Sequence, residues 1–417
     1  MLLVNKCTPG VHKRVTEENM RKLNKTAACG ILAAALAAGT LSGCSKAIDG
    51  TKTVATVGDE KVTLGLASYM TRDQQAQTMS YYNMLMSQYG VSGSASNVWD
   101  QKGDDGKTVG ESSKDSVMKT INQLYVLKAH AADYDVTITE DEEKAIKEAA
   151  AEFIKDNDEK ILKKLAVSED DIVTYLELVT IRSKMHDPMT ADVDTEVSAN
   201  EKDQTRVTIV KVSTEGTEKD DDGNTIDLTD EEKAQKKDLA QQVLDKVKAS
   251  DDVANADMDA LAKEVDDSLS ATAPAFTTAG DTDDTLDEAV QDAALELKDG
   301  EVADKVIEGD DGYYVVRLDK MLDEDATENK EKTVISERKS DLYDSTLEDW
   351  VKEEKIKVDD KVWDQIKVTD SVSFEYKSTD SSKGDSTATD ADSTKDTEDT
   401  SAQDSSASDS AAEDSAE

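Results

Sequence analysis

Histidine and cysteine, the residue types most often used for metal binding and nucleophilic chemistry, are rare in this chain of 417 residues. The cysteines are Cys7, Cys29 and Cys44, and the histidines are His12, His130 and His186. Because His130 and His186 have neither a nearby cysteine nor a histidine at ligand spacing, we interpret them as helix-end histidines rather than metal ligands. The sequence has no phosphate-binding glycine loop and no serine-elbow motif. We therefore predict no metal and no cofactor.

The segment 219–224 superficially resembles a calcium-binding loop. If Asp220 were loop position 1, Thr225 would stand where glycine is required, and if Glu218 were position 1, Thr229 would stand where the closing acidic residue is required. We therefore favour a polar turn. The other acidic pairs are also interpreted as turn residues rather than paired catalytic carboxylates: Asp104-Asp105, Asp283-Asp284 and Asp310-Asp311.

The chain is strongly acidic along most of its length. Residues 1–43 contribute +4 and residues 377–417 contribute −9 to the formal total of −44, which leaves −39 on the residues between them. Such a charge repels a phosphate backbone and an anionic lipid surface, so we exclude nucleic acid as a partner and expect any membrane attachment to be covalent.

The N-terminal region has the features of a secretory leader in their usual order. Basic residues from Arg21 to Lys25 precede an alanine-rich apolar run from Ala27 to Leu41, which is too short for a convincing membrane-spanning helix. We predict that residues 1–43 are a signal peptide, and Met20 fits its start better than Met1.

The end of that leader, Leu41-Ser42-Gly43-Cys44, resembles the lipobox of bacterial lipoproteins, in which the cysteine is diacylated and becomes the new N-terminus. The resemblance implies lipidation at Cys44 with fatty acid such as palmitate, an extracytoplasmic location on the outer face of the bacterial cytoplasmic membrane, and a linker over 44–52. Two acyl chains suffice for stable attachment.

Hydrophobic patterning predicts three regions after the linker. The first, 53–200, should be mostly helical: a hairpin at 54–64, a helix over 65–89, a loop over 90–115, a helix ending near Asp133, and helices opened by capping boxes at Thr139 with Glu142 and Ser168 with Asp171.

The second region, 205–320, combines strands and helices. Its predicted elements are a strand over 207–212, a helix opened by the capping box of Thr229 and Glu232, a shorter helix near 258–265, a buried apolar stripe from Leu286 to Leu297 that Gly300 ends, and an antiparallel hairpin of 302–307 with 313–318.

The third region, 327–368, should be a helix over 327–354 and a short apolar continuation. Leu342, Tyr343, Leu347, Trp350 and Val351 cannot be buried by one helix alone, so we expect the segment to pack on the N-terminal helices. The acidic tail, 377–417, has no Val, Ile, Leu or aromatic residue and should be disordered.

The order of elements in 205–320 resembles parvulin-type peptidyl-prolyl isomerase domains. The local match is Asp299-Gly300-Glu301-Val302, followed by Gly312-Tyr313-Tyr314-Val315-Val316. The flanks, beginning with the stretch 54–63 and closing with the helix of Trp350, resemble the trigger-factor and SurA type of chaperone region. With the lipobox, the chain is similar to PrsA-like foldase lipoproteins. The resemblance implies an α+β fold, in which a helical chaperone module built from both ends of the chain carries an inserted parvulin-like domain.

The same resemblance identifies the positions of the isomerase site. Parvulins have one histidine on the first strand and another on the last; Val207 and Tyr314 stand at these positions here, and Val290 and Leu295 stand where pocket phenylalanines are common. No histidine lies within 205–320. No catalytic residue is assigned, because valine cannot form a hydrogen bond and tyrosine reaches further than histidine.

Three functional hypotheses remain. The missing histidines favour a foldase or chaperone that binds unfolded or partly folded exported proteins without catalysis, over an active prolyl isomerase with an altered pocket. A solute-binding lipoprotein is a third hypothesis, but it would need repeated βα units.

A set of methionines and tyrosines is the candidate client-binding surface. Methionine-rich surfaces adapt to varied partners, although the same residues could equally form a core. The set is Met70, Met79, Tyr81, Tyr82, Met84 and Met86.

Overall fold

Short strands and one long helix open the described part of the chain. The computed structural model describes residues 36–38, 48–88, 98–217, 219, 225–278, 286–372 and 374–376. The first elements are strand β1 (Leu36–Ala38), strand β2 (Thr53–Val57), strand β3 (Glu60–Thr63) and helix α1 (Leu64–Gln88). Gly58, in the turn between β2 and β3, has a φ of +57°, which glycine adopts without a steric cost. The predicted hairpin and first helix are confirmed.

In the described part of the N-terminal region, four further α-helices and a one-turn α-helix follow, besides the 3-10 helix Ala131–Tyr134. They are α2 (Val109–His130), α3 (Glu140–Asp156), α4 (Glu159–Leu165), α5 (Glu169–Met189) and α6 (Ala199–Lys202). The predicted capping boxes of α3 and α5 are confirmed. The prediction of a loop as far as residue 115 is wrong, because Thr108 and Glu111 form another capping box, which starts α2 at Val109.

The middle region contains an antiparallel sheet with helices on both faces. Its elements are β4 (Gln204–Ser213), α7 (Asp230–Lys248), α8 (Met258–Lys263), β5 (Ala271–Thr272), β6 (Ala275–Thr277), α9 (Glu288–Leu295), β7 (Ile307–Glu308) and β8 (Gly312–Lys320). The sheet order is β5-β4-β8-β7, and β6 also pairs with β4. The capping box of Thr229 and Glu232, which opens α7, is confirmed.

The side chains of β4 and β8 alternate between two cores. One core contains Val210, Val212 and Val315 with side chains of α7 and α8, and the other contains Val207 and Tyr314 with side chains of α9. This alternation follows from the two-residue period of a strand, so both faces of the long pair β4–β8 are covered.

Two predictions about this region need correction. Helix α9 covers only residues 288–295, although Leu286 and Leu297 at its flanks do pack with the predicted apolar stripe. The predicted strand 302–307 is interrupted: Val302 makes a single bridge to Arg317, Asp304 and Lys305 form an exposed bend, and β7 begins only at Ile307. The bend places the Asp304 carbonyl where the Lys248 Nζ donates to it at 2.8 Å.

The C-terminal elements return to the N-terminal helices. They are α10 (Glu324–Glu353), β9 (Ile356–Val358), α11 (Asp360–Trp363) and β10 (Phe374–Tyr376). Leu347 and Trp363 are buried in the same core as side chains of α1, α2, α3 and α5, and β9 adds a third strand to the β2–β3 hairpin. The described residues thus form an α+β fold, as predicted.

Candidate functional site

Val207 and Tyr314, the positions predicted to correspond to the parvulin histidines, lie on the same face of the sheet. Val207 on β4 is opposite Leu318, and Tyr314 on β8 is opposite Lys211. Both side chains are buried in the core that α9 covers. The fold therefore directs both side chains to one side of the sheet.

Val207 is surrounded by hydrocarbon. Its side chain is fully buried in a cluster that includes Phe276 and Val290, and its backbone N–H donates to the Pro274 carbonyl at 3.1 Å. Its side chain can neither donate nor accept a hydrogen bond. At this position the chain therefore contributes to packing only.

The Tyr314 hydroxyl forms a hydrogen bond within the hairpin. It donates to the carboxylate of Asp311, which also accepts from the Lys211 Nζ at 2.5 Å. The hydrogen bond from Lys211, followed by that from Tyr314, lowers the pKa of Asp311. Burial, and then the bond to Asp311, raises the pKa of Tyr314. The hydroxyl is therefore a neutral donor to a charged acceptor at ordinary pH.

The turn beside Tyr314 is tightly packed. A Cβ at Gly309 would lie 2.4 Å from Asp287 Oδ2 and 2.9 Å from Tyr314 Cε2, so a larger residue would displace the carboxylate or the ring. Asp287 caps α9 through the Ala289 N–H at 2.9 Å and also accepts from the Asp310 N–H at 2.7 Å. The network thus fixes α9 against the β7–β8 turn, and its polar groups have partners within the fold.

The predicted pocket positions do not come together. Val290 is fully buried in the core with Val207, whereas Leu295 is 38% exposed and lies outside that core. Phe276 on β6, which the sequence analysis did not select, is fully buried in the same core. It could not be recognised from its own segment, because only the pairing of β6 with β4 brings it there.

A polar network on β4 and β8 was also not predicted. Arg317 donates from Nε to Asp319 at 2.7 Å and from Nη1 to the carbonyls of Val253 and Ala256 at 3.2 and 2.8 Å, while the Thr208 hydroxyl donates to Asp319 at 2.6 Å. These contacts tie the sheet to the segment between α7 and α8. With a further bond from Arg317 Nη2 to the Thr208 hydroxyl at 3.3 Å, each guanidinium nitrogen has an acceptor within the fold, which is typical of a structural network.

The candidate client-binding residues divide into buried and exposed groups along α1. Met70 and Met79 are buried, so their prediction as surface residues is corrected: each belongs to a hydrophobic cluster. Tyr81, Tyr82 and Met84 are 50%, 37% and 63% exposed. Met86 is half-buried. The exposed residues occupy the C-terminal end of α1, where the helix extends past its core contacts.

The two described histidines take part in ring contacts near helix ends. The His130 ring stacks on the Trp350 ring with centroids 4.0 Å apart, and the His186 ring lies 5.4 Å from that of Tyr343. Both contacts join α10 to the N-terminal helices. Within the described residues, no cluster of three His, Cys, Asp or Glu side chains could bind a metal ion.

Several predictions fall on residues that the structure does not describe. Cys44, most of the calcium-like segment 219–224 and the acidic tail lie outside the described ranges. Of the predicted leader, residues 36–38 are described, and they form β1 opposite β10. Among the helices of the described ranges, none is both long and apolar enough to cross a membrane.

Solved structures similar to this chain include three proteins of low sequence identity. The peptidylprolyl isomerase PrsA of Bacillus cereus is 19% identical, with coverage of 65% of this chain and 97% of that chain and a TM-score of 0.28. PrsA of Bacillus subtilis is 17% identical, with coverage of 64% of this chain and 96% of that chain and a TM-score of 0.21. A protein of Campylobacter jejuni, from a study of two SurA-like chaperones, is 10% identical, with coverage of 73% of this chain and 98% of that chain and a TM-score of 0.25.

A family model matches part of this sequence. Among curated proteins, none matches this chain. Residues 219–332 match the model of the PPIC-type PPIase domain. The match includes Tyr314 but begins after β4, so it leaves out Val207. Over residues 219–332 the chain is therefore similar to PPIC-type PPIase domains, and the predicted resemblance to parvulins is confirmed.

Proposed function

We propose that this chain is an extracytoplasmic, lipid-anchored foldase that binds unfolded exported proteins, and that its parvulin-like domain does not catalyse prolyl isomerisation. In this proposal the helical module of residues 53–200 and 327–368 binds clients, and the inserted domain of residues 205–320 supports it. The proposal rests on the PPIC-type match, on the leader that ends at Cys44, and on the exposed end of α1.

The exposed apolar end of α1 is the observation that carries the client-binding function. Tyr81, Tyr82 and Met84 lie within one helical turn and expose more than a third of their surface. Exposed aromatic and methionine side chains that lie together are typical of surfaces that bind varied apolar segments. A helix with no binding role would more commonly have polar residues at such positions.

An aggregation assay tests this assignment. The triple variant Tyr81→Ser, Tyr82→Ser, Met84→Ser should lose most of the suppression of aggregation of an unfolded client, while its thermal unfolding stays close to that of the wild type. The matched control is Asn83→Ser with Gln88→Ser, which changes exposed polar residues of the same helix end. Equal suppression by the triple variant and the control would rule out this surface.

The proposed lack of isomerase activity follows from the chemistry at Val207 and Tyr314. An X–Pro bond rotates over a barrier of about 18–20 kcal/mol, and a catalyst has to stabilise the twisted amide more than the planar forms. A buried valine and a tyrosine hydroxyl bound to Asp311 leave no pair of hydrogen-bonding rings to organise such a site. The fold is retained because valine and tyrosine are good strand residues.

An active isomerase with an altered pocket is the second candidate, favoured by the match to the PPIC-type family. A protease-free assay on a proline tetrapeptide separates the two. We expect the uncatalysed rate at every protein concentration. Acceleration in proportion to protein concentration would replace our proposal with the isomerase.

Lipid anchoring is tested separately. Metabolic labelling with a fatty acid should mark the wild-type protein and not Cys44→Ala. Labelling that survives this substitution would contradict anchoring at Cys44 but would leave the client-binding surface open.

A further inference from the structure

Strand β10 pairs with a segment of the predicted leader. The two strands form an antiparallel sheet in which Leu36 is opposite Tyr376, Ala37 is opposite Glu375 and Ala38 is opposite Phe374. This sheet contains only β1 and β10 among the described strands. The main-chain partner of β10 is therefore a segment that lies before Cys44.

Side chains attach β10 to α1 independently of that pairing. Phe374 is buried, with the Arg72 guanidinium 5.1 Å from the centre of its ring. The Tyr376 hydroxyl donates to Asp73 Oδ1 at 2.7 Å. Gln75 donates from its side chain to the carbonyl of Val372, two residues before the strand. The side chains of Phe374 and Tyr376 project from one face of β10, whereas β1 pairs with the main-chain edge of β10.

Removal of the leader would therefore leave β10 in place with an unpaired edge. The main-chain groups that β1 satisfies would face water or another chain, and an unpaired strand edge is a template for a further strand. The buried Phe374 and the half-buried Tyr376 pre-order this edge, which lowers the entropy that must be lost on binding.

We propose that, in the processed chain, the edge of β10 binds an extended, uncharged segment of small apolar residues from a client protein by strand addition. The inference rests on the proposed function, because it takes cleavage before Cys44 as the event that removes β1. The sequence Leu36-Ala37-Ala38 shows the chemistry that fits: uncharged, and small enough for close approach of the main chains. Main-chain hydrogen bonds require little specific sequence, which suits a protein with varied clients.

Hydrogen exchange on the full chain tests the proposal. In the wild type, amides of Phe374–Tyr376 that face β1 should exchange about tenfold or more slowly than in Leu36→Pro with Ala37→Pro, because proline has no N–H and does not fit a ladder. The matched control is Leu36→Ala with Ala37→Ser, which keeps both N–H groups and should exchange like the wild type.

A peptide added in trans then tests the edge itself. The probe is the sequence of residues 31–41 with lysines at each end for solubility. Added to the proline variant, it should restore the slow exchange at Phe374–Tyr376. The same peptide N-methylated at the positions of residues 36, 37 and 38 should not, because its central amides cannot donate.

Each outcome decides one claim. Equal exchange in the wild type and the proline variant, or equal protection by the methylated peptide, would overturn strand addition at β10. If the peptide protects β10 but the chain does not suppress aggregation, the proposed foldase function fails, and strand addition at β10 stands without a client protein as its occupant. If aggregation is suppressed and β10 is not protected, only this inference fails.

Discussion

At the residue scale, Val207 and Tyr314, the positions predicted for the parvulin histidines, serve in packing and in one hydrogen-bonded cluster. The Tyr314 hydroxyl and the Lys211 ammonium both bind the carboxylate of Asp311, which stands in the turn before β8. Asp311 was predicted as a turn residue, and that is correct. Its ion pair could not be predicted, because Lys211 is 100 residues away in sequence and only the β4–β8 register brings the two together.

The Tyr314→Phe variant tests whether this cluster is structural. It removes one hydrogen bond to a charged acceptor, so the free energy of unfolding should fall by about 1–2 kcal/mol. Urea denaturation provides the measurement. Tyr313→Phe, which removes a hydroxyl from the neighbouring residue on the other face of the sheet, should change stability by less than about 0.5 kcal/mol. Equal losses in the two variants would contradict a specific role for the Tyr314 hydroxyl.

Glu201 gives a pH-dependent prediction. Hydrogen bonds from the Ser198 hydroxyl and N–H, and then from Arg338, lower the pKa of Glu201 from 4.5 to about 2. Because the folded state favours the ionised carboxylate, the stabilisation is fully present above the ordinary pKa and is lost as the pH falls towards about 2.

The difference in stability between wild type and Glu201→Gln should therefore be largest near neutral pH and should shrink below about pH 4.5. Denaturation series at several pH values measure it. Glu152→Gln, an exposed carboxyl on α3, controls for the removal of one negative charge from an acidic protein. A difference for Glu201→Gln that stays constant down to about pH 3 would contradict the assigned hydrogen bonds.

At the element scale, helix starts were the most predictable features and strand lengths the least. The capping boxes at Thr139, Ser168 and Thr229 were recognised because all their contacts lie within four residues. Strand β10 pairs with a segment far away in sequence, so local pattern could not predict it, whereas β7 pairs with the adjacent β8 and only its start was placed too early. The Met70 and Met79 predictions failed for a different reason: methionine serves equally in cores and on surfaces, so residue type alone does not tell which.

Helix α10 packs on the N-terminal helices, and Leu347 is its buried residue. Leu347→Ala should lower the free energy of unfolding by about 2–4 kcal/mol, because it removes buried methyl groups and leaves a cavity against the N-terminal helices. The control is Leu322→Ala, just before α10, where the side chain is 51% exposed and the effect should stay within about 0.5 kcal/mol. Thermal or urea unfolding measures both, and similar losses would show that α10 does not depend on this contact.

At the scale of the whole molecule, charge is the property that the sequence establishes most directly. Residues 44–376, which lie between the predicted leader and the acidic tail, carry −39, and the structure spreads many carboxylates over exposed helix faces and turns. A protein with this charge repels acidic chains and attracts basic ones over distances of about a Debye length, roughly 10 Å at 0.1 M salt. Local contacts of the exposed Tyr81, Tyr82 and Met84 are much less sensitive to salt.

If the chain binds unfolded clients, its net charge and its exposed apolar side chains together predict that ionic strength affects basic and acidic clients differently. Association with an unfolded client of high positive charge should be fast at low salt and should slow by about tenfold or more between roughly 20 and 300 mM NaCl, because screening removes the attraction. Association with an acidic client of similar length should become faster over the same range. Stopped-flow fluorescence of labelled clients measures both rates.

The triple variant at Tyr81, Tyr82 and Met84 should keep the salt dependence of the association rate. Its complexes should dissociate faster, because charge controls the rate of encounter and apolar contact controls how long the complex lasts. Equal salt dependence for the basic and acidic clients would show that the net charge does not select clients.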